Sequence, residues 1–408
     1  MSRRVVVSGM GGITALGEDW KTIRGRMAEG RTAVKRIAEW DRFENLNTKL
    51  AAPVEGFDVE NRYDRRKLRT MGRVARLAVY GTEHALSDAG LLDDPRLKAG
   101  RAGIAYGSSF GSHDAVLGFA ELMSTGRSRN LTSTSYVQMM SHTACVNIGL
   151  CFGLTGRIVP TSSACTSGSQ AIGYSYEMIR AGIQDVMIAG GAEELSASDA
   201  IVFDTLYATS TRNDQPQSTP RPFDKARDGL VIGEGAASLI LEEREHALAR
   251  GATIYAEIVG YGTNSDGNHI TQPAAETMAI ALRLALEDAR LDAGAIGLVN
   301  GHGTATEWGD IAESIATATV LGNKMPMHSL KSYFGHSLGA CGSIEAWLGI
   351  EMMREKWFVP TANLETVDER CAPLDYIMRA PRHLDIDHFM TNNFAFGGIN
   401  TSLIFRHA

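Results

Sequence analysis

The sequence is poor in cysteine, and the cysteines it has are not spaced for disulfide pairing or metal binding. Five are present in 408 residues, an odd number with no CxxC pair among them. Scattered thiols in an odd number argue against a disulfide framework and a structural zinc site, and they fit a reducing compartment. We therefore predict a cytoplasmic protein that binds no metal.

An excess of positive charge and a long apolar run are also missing. Lys and Arg total 40 against 47 Asp and Glu, a net charge of -7, which disfavours a nucleic-acid partner because such proteins neutralise phosphates. No stretch reaches the roughly eighteen apolar residues of a membrane span, and the N-terminal valines are too few for a signal-peptide core. The glycine patterns of nucleotide-binding loops are absent as well.

What is present is an ordinary globular composition, 44% hydrophobic and 21% charged, in which strand-like and helix-like segments alternate. This alternation predicts an α/β protein with a mainly parallel sheet covered on both faces. The predicted strands are 4–8, 103–106, 157–161, 185–189, 253–260, 297–300 and 325–330, and helices include 72–89, 278–289 and 343–353.

The chain divides into two parts that look loosely alike. The segments VVVSGMGG and EIVGYGTNSDG each read as a strand followed by a glycine-rich turn, and each part later carries a strand, glycine loop and helix with a reactive side chain. We predict halves at 1–250, with the nucleophile, and 251–408, with the histidines and lysine. The polar segment 210–228 is predicted to be a long ordered loop between them.

Cys165 is the candidate nucleophile, in the segment TSSACTSGSQAIG. A predicted strand ends before it and a predicted helix begins just after it. A helix N-terminus favours the thiolate, so we expect a lowered pKa there. The alternative is a buried structural thiol, which we accept for Cys145, Cys151 and Cys371.

Two histidines occur in matching Gly-His loops that follow predicted strands and precede helices, His302 in GHGTATEWGD and His336 in FGHSLGACG. Lys331 follows the same strand as His336. Ligands of open α/β sheets bind beyond the carboxyl ends of strands, so these side chains and Cys165 are expected to converge on one pocket. The segment HFMTNNFAFGGINTSLIF predicts a strand, a glycine-rich turn and a strand, with Phe396 in the turn as a backbone donor and aromatic gate.

Two other interpretations remain open at this point. Ser109 lies in GSSFG after a predicted strand, which matches the nucleophile elbow of serine hydrolases, with His302 or His336 as a possible base. A subunit that binds an acyl carrier protein without turnover is the non-enzymatic alternative.

The ordered set of Cys165, His302, Lys331, His336 and the FGG turn resembles the β-ketoacyl-acyl carrier protein synthases, most closely the elongating class with two active-site histidines found in fatty acid synthase II. The blocks AGGAEEL, STRNDQPQ and RPFDKARDGLVIGEGAA agree with it. The resemblance implies a thiolase-like fold, two pseudo-repeated halves in a layered α-β-α-β-α core. The LAAP, YVQMM and LKSYFGHSLGACG stretches are similar to ketosynthases of aryl polyene pigment clusters.

The resemblance implies a decarboxylative condensation of an acyl group with malonyl-acyl carrier protein. Cys165 would accept the acyl group, and its N–H together with that of Phe396 would form an oxyanion hole. His302 and His336 would bind the malonyl thioester and stabilise the enolate. Lys331 would position and polarise the histidines.

Further roles come from the same resemblance. Glu345 would lie near the lysine, Thr304 and Thr306 would bind the phosphopantetheine arm, and Thr271 would lie near its entrance. Phe110 would line the acyl channel and narrow it for flexible saturated chains, or it would only pack the core of the dimer. No metal or organic cofactor is implied, because the arm belongs to the carrier.

The implied partner is an acidic acyl carrier protein, docked by basic residues: Arg66, Arg69, Arg127, Arg129 and Arg212. A dimer is expected, either with a second copy or with a chain-length-factor-like subunit. The chain departs from the family pattern at Ala305 and Glu307, where the family has serine and proline, and at Ala395, where it has glycine. These departures bear on gate movement and substrate choice.

Overall fold

A computed structural model describes residues 3–128 and 131–408. The β-strands are β1 Val5–Thr14, β2 Lys35–Arg36, β3 Leu50–Ala52, β4 Ala102–Gly107, β5 Ile158–Pro160, β6 Val186–Glu193, β7 Ile232–Gly233, β8 Gly235–Glu243, β9 Ala256–Ser265, β10 Leu298–Asn300, β11 Pro326–His328, β12 Trp357–Phe358, β13 Asp375–Tyr376, β14 Arg382–His383, β15 His388–Ala395 and β16 Ile399–His407. The α-helices are α1 Trp20–Ala28, α2 Arg65–Leu68, α3 Arg73–Asp88, α4 His113–Thr125, α5 Ser133–Met139, α6 Thr143–Phe152, α7 Ser167–Arg180, α8 Ala197–Asp204, α9 Arg244–Ala249, α10 Ala275–Ala289, α11 Glu307–Leu321, α12 Lys331–Phe334 and α13 Cys341–Arg354.

The main sheet has eleven strands in the order β13-β11-β10-β15-β16-β9-β1-β8-β6-β4-β5. Two runs of this order are equivalent, β5-β4-β6-β8-β1 and β11-β10-β15-β16-β9. In both runs the first three strands are parallel and the last three are antiparallel. The runs join where β1 pairs with β9. The predicted pseudo-repeat is therefore confirmed at the level of topology.

Helices α7 and α13 form the central layer of the molecule. They contact each other and strands of both halves, and α13 is buried along most of its length. Helices α3 and α6 cover the outer face of the N-terminal strands, while α10 and α11 cover that of the C-terminal strands. The layers are thus α-β-α-β-α, as predicted, because each half of the main sheet buries both of its faces.

The prediction of a mainly parallel sheet was wrong, because the sheet is mixed. Strand β8 was missed, and it runs antiparallel to both of its neighbours, β1 and β6. Its residues are buried almost throughout, so the segment GAASLILEE lacks the alternation of a half-exposed strand. In the C-terminal half, the β15–β16 hairpin supplies the equivalent antiparallel strand.

Five glycines predicted to form turns lie instead inside long strands: Gly9, Gly11 and Gly12 in β1, and Gly260 and Gly262 in β9. A Cβ at Gly11 in β1 would lie 2.5 Å from the backbone nitrogen of Ala85 in α3, and one at Gly262 in β9 would lie 2.1 Å from the carbonyl oxygen of Ala281 in α10. Only glycine permits so close an approach of the helix backbone to the strand. In each half, glycines of a long strand therefore allow an outer helix to pack closely on the sheet.

Reactive side chains follow the carboxyl ends of several strands. Cys165 comes after β5, His302 after β10, Lys331 and His336 after β11, and Phe396 after β15. The loop 210–228 has no regular element apart from a 3-10 turn at Pro216–Ser218. In the part of the chain that the structure describes, no helix is both long enough and apolar enough to cross a membrane.

Candidate active site

Cys165 lies in a sharp turn between β5 and α7. The turn is a 3-10 helix from Ala164 to Thr166, and α7 begins at Ser167. Ala164 has φ of 50°, a left-handed conformation that is unusual for a residue other than glycine. This strained turn directs the Cys165 side chain toward the cavity described below, where it is only 4% exposed.

His336 is in direct contact with the cysteine. Its Nε2 atom lies 2.9 Å from Cys165 Sγ, and its Nδ1 atom accepts a hydrogen bond from the Leu338 backbone N–H at 3.2 Å. Because Nδ1 is an acceptor, the neutral imidazole carries its proton on Nε2. His336 therefore directs an N–H donor at the sulfur.

His302 is held in the same tautomer by a different partner. Lys331 Nζ lies 3.1 Å from His302 Nδ1, and an ammonium can only donate, so the imidazole proton is on Nε2. The two imidazole rings are perpendicular with centroids 5.1 Å apart. Donor atoms of Cys165, His302 and His336 all lie within 4.8 Å of one another, so the predicted convergence of these residues is observed.

Lys331 and Glu345 form a buried ion pair behind the histidines. The distance from Nζ to Oε1 is 2.5 Å, and Asn393 Nδ2 donates to the second oxygen of Glu345 at 2.7 Å. Burial acts to lower the pKa of Lys331, but Cys341 and Glu345 hold it above its ordinary value. The lysine is therefore charged at neutral pH.

The histidines respond to burial and to that charge. Burial, followed by the Lys331 ammonium, lowers the pKa of both His302 and His336 well below the ordinary value. Both imidazoles are therefore neutral near pH 7 and can serve as hydrogen-bond donors through Nε2–H.

The expected lowering of the Cys165 pKa was wrong. Burial raises it to about 12, although Lys331 and the backbone N–H groups of Phe396 and Cys165 act in the opposite direction. The helix N-terminus favours the thiolate, but the loss of solvent around the buried thiol has the larger effect on its pKa. Both N–H groups act on the Cys165 thiol, so the predicted oxyanion donors lie near the reactive atom.

The site lies in a cavity of about 850 Å³. Its wall includes seven of the predicted residues: Cys165, Thr271, His302, Thr304, Thr306, His336 and Phe396. The hydroxyl oxygens of Thr304 and Thr306 are 2.9 Å apart. Lys331 and Glu345 are absent from the cavity wall, so they act on it through His302.

Phe396 lies in the turn between β15 and β16, where a gate was predicted. Its ring packs against Phe203 with a centroid distance of 4.9 Å. Gly397 and Gly398, which follow it, have φ of 89° and 69°, values that favour glycine. Ala395 is the last residue of β15, so the alanine that replaces the family glycine lies at the base of this turn.

Sequence reasoning missed Glu313. This buried carboxylate on α11 accepts the backbone N–H groups of His302 at 2.6 Å and Gly303 at 2.7 Å, and burial raises its pKa to about 8. It therefore shapes the loop that presents His302. An acidic residue among the buried alanines of α11 was the available signal.

Ser109 hydrogen-bonds to a glutamate and not to a histidine base. Its hydroxyl donates to Glu193 Oε2 at 2.5 Å and its backbone N–H donates to the same oxygen at 2.8 Å. Within residues 3–128 and 131–408, no histidine nitrogen hydrogen-bonds to this serine. A serine hydrolase needs a base on its nucleophile, so the geometry does not favour that alternative.

Phe110 lies outside the active-site cavity of this chain. Its ring stacks on His113 with centroids 4.9 Å apart, and the side chain is 39% exposed. His113 in turn contacts Asp199 at 3.0 Å. The role of Phe110 in an acyl channel stays a prediction.

The basic residues differ in their partners. Arg66 and Arg69 are exposed, and among the described residues neither forms an ion pair, whereas neighbouring Arg62 pairs with Glu83. Arg127 is also exposed. Arg212 pairs with Asp228 at 3.3 Å. Arg129 lies outside the described residues.

Comparison with known proteins gives consistent matches along the chain. The N-terminal domain of β-ketoacyl synthases matches residues 2–247, and their C-terminal domain matches residues 255–365. The 3-oxoacyl-acyl-carrier-protein synthase 2 of Vibrio harveyi is 36% identical over 412 residues, covering 99% of this chain and 98% of that protein.

Solved structures agree. A β-ketoacyl synthase from Burkholderia phymatum STM815 is 60% identical, with a TM-score of 0.99 and 100% of both chains covered. A type II polyketide ketosynthase, solved with its acyl-carrier protein and bound to the hexaketide, is 29% identical, with a TM-score of 0.87 and 100% of both chains covered.

Proposed function

The chain belongs to the β-ketoacyl synthase family, and from this premise we propose the role of each residue in its reaction cycle. It is a condensing acyltransferase that joins an acyl group to malonyl-acyl carrier protein in fatty acid or polyketide elongation. The observation that carries the proposed roles is the contact of His336 Nε2 with Cys165 Sγ at 2.9 Å, beside His302 in one cavity.

Acyl transfer comes first in this cycle. Cys165 Sγ attacks the carbonyl carbon of an acyl-carrier thioester, and the bond from that carbon to the carrier sulfur breaks. The raised pKa means that the thiol is protonated before attack, so its proton leaves during the step and ends on the departing carrier thiol. The N–H groups of Cys165 and Phe396 stabilise the negative charge on the acyl oxygen.

Decarboxylation and condensation follow. The malonyl carboxylate leaves as carbon dioxide, and the electron pair of the broken C–C bond forms an enolate on the thioester oxygen. His302 and His336 donate their Nε2–H groups to that oxygen. The enolate carbon then attacks the acyl carbon on Cys165, and the bond from that carbon to Sγ breaks. The thiolate that leaves takes up one proton from solvent water, which restores the Cys165 thiol.

We propose that this cycle uses no metal or organic cofactor of the chain itself. Cys165, His302 and His336 offer three donor atoms within 4.8 Å, a set that could ligate zinc. The Lys331 ammonium lies 3.1 Å from His302 Nδ1, and its charge opposes a second cation at the same place. The reactive thioester is carried by the partner's arm.

The proposed partner is an acyl carrier protein. Support comes from the solved relative in complex with its own carrier and from Arg66 and Arg69, exposed cations that suit an acidic surface. Assembly as a dimer, with a second copy or with a chain-length-factor-like subunit, stays a prediction. We also propose aryl polyene synthesis as the pathway, from the LKSYFGHSLGACG resemblance, and a cytoplasmic location, since all five cysteines are free.

The test is the covalent state of Cys165. Wild-type protein incubated with an acyl-carrier thioester should gain the mass of the acyl group on the Cys165 peptide and then condense with malonyl carrier. Cys165→Ala should lose both reactions while its thermal unfolding temperature stays near wild type, because a small side chain replaces a small one.

Cys371→Ala is the matched control, since it removes a buried thiol outside the cavity and should leave both reactions intact. Wild-type-like elongation by Cys165→Ala would refute the nucleophile. Carrier binding without any acylation of the wild type would favour the non-catalytic subunit, and labelling of Ser109 by a fluorophosphonate would favour the hydrolase.

A further inference from the structure

A second thiol, Cys341, lies behind the candidate nucleophile and takes no part in the proposed cycle. It is the first residue of α13 and is fully buried. Its thiol donates to the backbone carbonyl oxygen of Cys165, with 3.2 Å between Sγ and oxygen, across 176 positions of sequence. Asn393 Nδ2 lies 3.6 Å from the same sulfur. Two cysteines are therefore in contact, one on the cavity wall and the other outside it.

The segments that carry the two cysteines are packed backbone to backbone. A Cβ at Gly168, near the start of α7, would lie 3.0 Å from the backbone nitrogen of Ser343, and one at Gly342 would lie 2.8 Å from that of Ser169. Glycines at both helix starts thus allow the helices to approach closely. A disulfide needs such an approach, because its two Cα atoms lie roughly 4.4–6.8 Å apart.

The two thiols differ in their access to reagents from solvent. Cys165 lies on the wall of the cavity of about 850 Å³, and the same wall includes Tyr207, which is 90% exposed. Cys341 has no exposed surface. Burial raises the pKa of Cys341 well above its ordinary value, although the Lys331 ammonium acts in the opposite direction. Cys341 is therefore protonated and shielded, and an oxidant in the cavity meets Cys165 first.

We propose that Cys341 is a resolving thiol, which forms a disulfide with Cys165 after hydrogen peroxide has oxidised Cys165. In the first step the peroxide O–O bond breaks and one oxygen bonds to the Cys165 sulfur, giving a sulfenic acid. The other oxygen leaves as water with the thiol proton. Cys341 Sγ then attacks the Cys165 sulfur, the S–O bond breaks, and the oxygen leaves as water with the Cys341 proton. A thiol reductant reverses the resulting disulfide.

The consequence is protection of the nucleophile from irreversible damage. A sulfenic acid left in the cavity reacts with further peroxide to a sulfinic acid, which thiols do not reduce. Because Cys341 already contacts Cys165, the disulfide forms within one chain and competes with that second oxidation. Burial raises the pKa of Cys165 to about 12, so little thiolate is present and the first oxidation needs an excess of peroxide.

Intact mass and peptide mapping of the wild type test this assignment. Protein treated with excess hydrogen peroxide should lose about 2 Da, the two hydrogen atoms removed by one disulfide. A non-reducing digest should contain the Cys165 peptide joined to the Cys341 peptide. Acylation of Cys165 by an acyl-carrier thioester should be lost in step with the mass change and should return after treatment with dithiothreitol.

Three variants separate the resolving thiol from packing. After peroxide, Cys341→Ala and Cys341→Ser should gain about 32 Da on the Cys165 peptide, a sulfinic acid, and the acylation recovered by dithiothreitol should fall at least about fivefold. The serine keeps a donor to the Cys165 carbonyl oxygen, so agreement between these variants excludes an effect of that hydrogen bond. Cys145→Ala is the matched control and should behave as wild type, since this buried thiol donates to the Tyr106 carbonyl oxygen at 3.0 Å outside the cavity wall.

Each other outcome contradicts the proposal. Conversion of wild-type Cys165 directly to sulfinic acid, or no oxidation of it, would show that Cys341 does not resolve it. A disulfide from Cys165 to another cysteine or to a second chain would assign the resolving role elsewhere. Wild-type recovery of the Cys341 variants would mean that the sulfenic acid persists without a partner thiol. The proposed function is judged separately, by acylation of protein that has not met peroxide.

Discussion

The two halves of the molecule share one strand order but bury different ionisable groups at its centre. In the N-terminal half, the carboxylate of Glu193 at the end of β6 accepts the Ser109 N–H at 2.8 Å and the Gly339 N–H at 2.9 Å. In the C-terminal half, the ammonium of Lys331 after β11 contacts His302 and Glu345. The N-terminal centre is a buried carboxyl group that accepts hydrogen bonds, and the C-terminal centre is a buried ammonium that donates them.

This difference explains how repeated topology produces unequal chemistry. Burial raises the pKa of Glu193 to about 7, so that group binds a proton readily, whereas burial and Lys331 keep His302 and His336 neutral. Glu193 also reaches across the halves, because Gly339 belongs to the loop that follows His336. The fold brings strand ends together, and the buried charge decides what each end can do.

The largest expected effect comes from removing the donors of the C-terminal half. His302→Ala and His336→Ala should each retain acyl transfer to Cys165 but lose malonyl decarboxylation by about 100-fold or more, the usual cost of one oxyanion donor. Mass spectrometry of the acyl-enzyme and release of labelled carbon dioxide measure the two steps separately.

His328→Gln is the control for that experiment, since His328 is a buried histidine of the same half outside the cavity wall. Its decarboxylation should remain close to wild type. Normal decarboxylation with lost acylation in the His302 and His336 variants would reverse the assigned roles.

The second effect is on the pH dependence of the unfolding free energy, to which the two histidines of the C-terminal half contribute. His302 and His336 have lowered pKa values when folded, so below the ordinary histidine pKa of about 6.5 the unfolded chain binds protons that the folded chain does not. Folding is therefore weakened as pH falls below that value. Between pH 6.5 and 5, the unfolding free energy of the double variant His302→Gln/His336→Gln should fall less than that of the wild type. Each histidine accounts for up to about 1.4 kcal/mol per pH unit of the difference. Urea unfolding across this range measures the slope, and equal slopes would contradict the prediction.

The contribution of Glu193, in the N-terminal half, should have the opposite slope. Glu193 has a folded pKa of about 7 against an ordinary 4.5, so between these values the folded chain holds a proton that the unfolded chain has lost. Stability therefore falls as pH rises through this window. Glu193→Gln should remove this contribution, up to about 1.4 kcal/mol per pH unit, in the same urea series. A variant with the wild-type slope would place the proton elsewhere.

The smallest effect concerns the surface of the N-terminal half, where Arg66 and Arg69 are exposed. Arg66→Glu or Arg69→Glu should raise KM for carrier-loaded substrates several-fold at low salt, and the difference from wild type should shrink as salt screens the charges. Lys324→Glu makes the same charge change at an exposed site of the C-terminal half and should have little effect. Unchanged kinetics for both arginine variants would exclude this patch from docking.

Much of the site was predictable because its signals are local. Cys165, His302, Lys331 and His336 each follow a strand within a glycine-rich stretch, and the rule that ligands bind beyond strand ends brings them together. Glu313 and Asn393 were missed because their partners, His302 N–H and Glu345, come from other elements. Strand β8 was missed because burial on both faces removes the alternation by which strands are recognised.

Short stretches of the chain determine the order of strands, glycine loops and helices, since each unit depends on neighbours within a few residues. They do not determine the protonation of the site, because protonation depends on burial and on charges from distant segments. His336 meets Cys165 across 171 residues of sequence, and enclosure by both halves raises the thiol pKa that a helix start alone would lower. Identity and position of the reactive groups follow from local sequence, whereas their charge states exist only once the halves close around them.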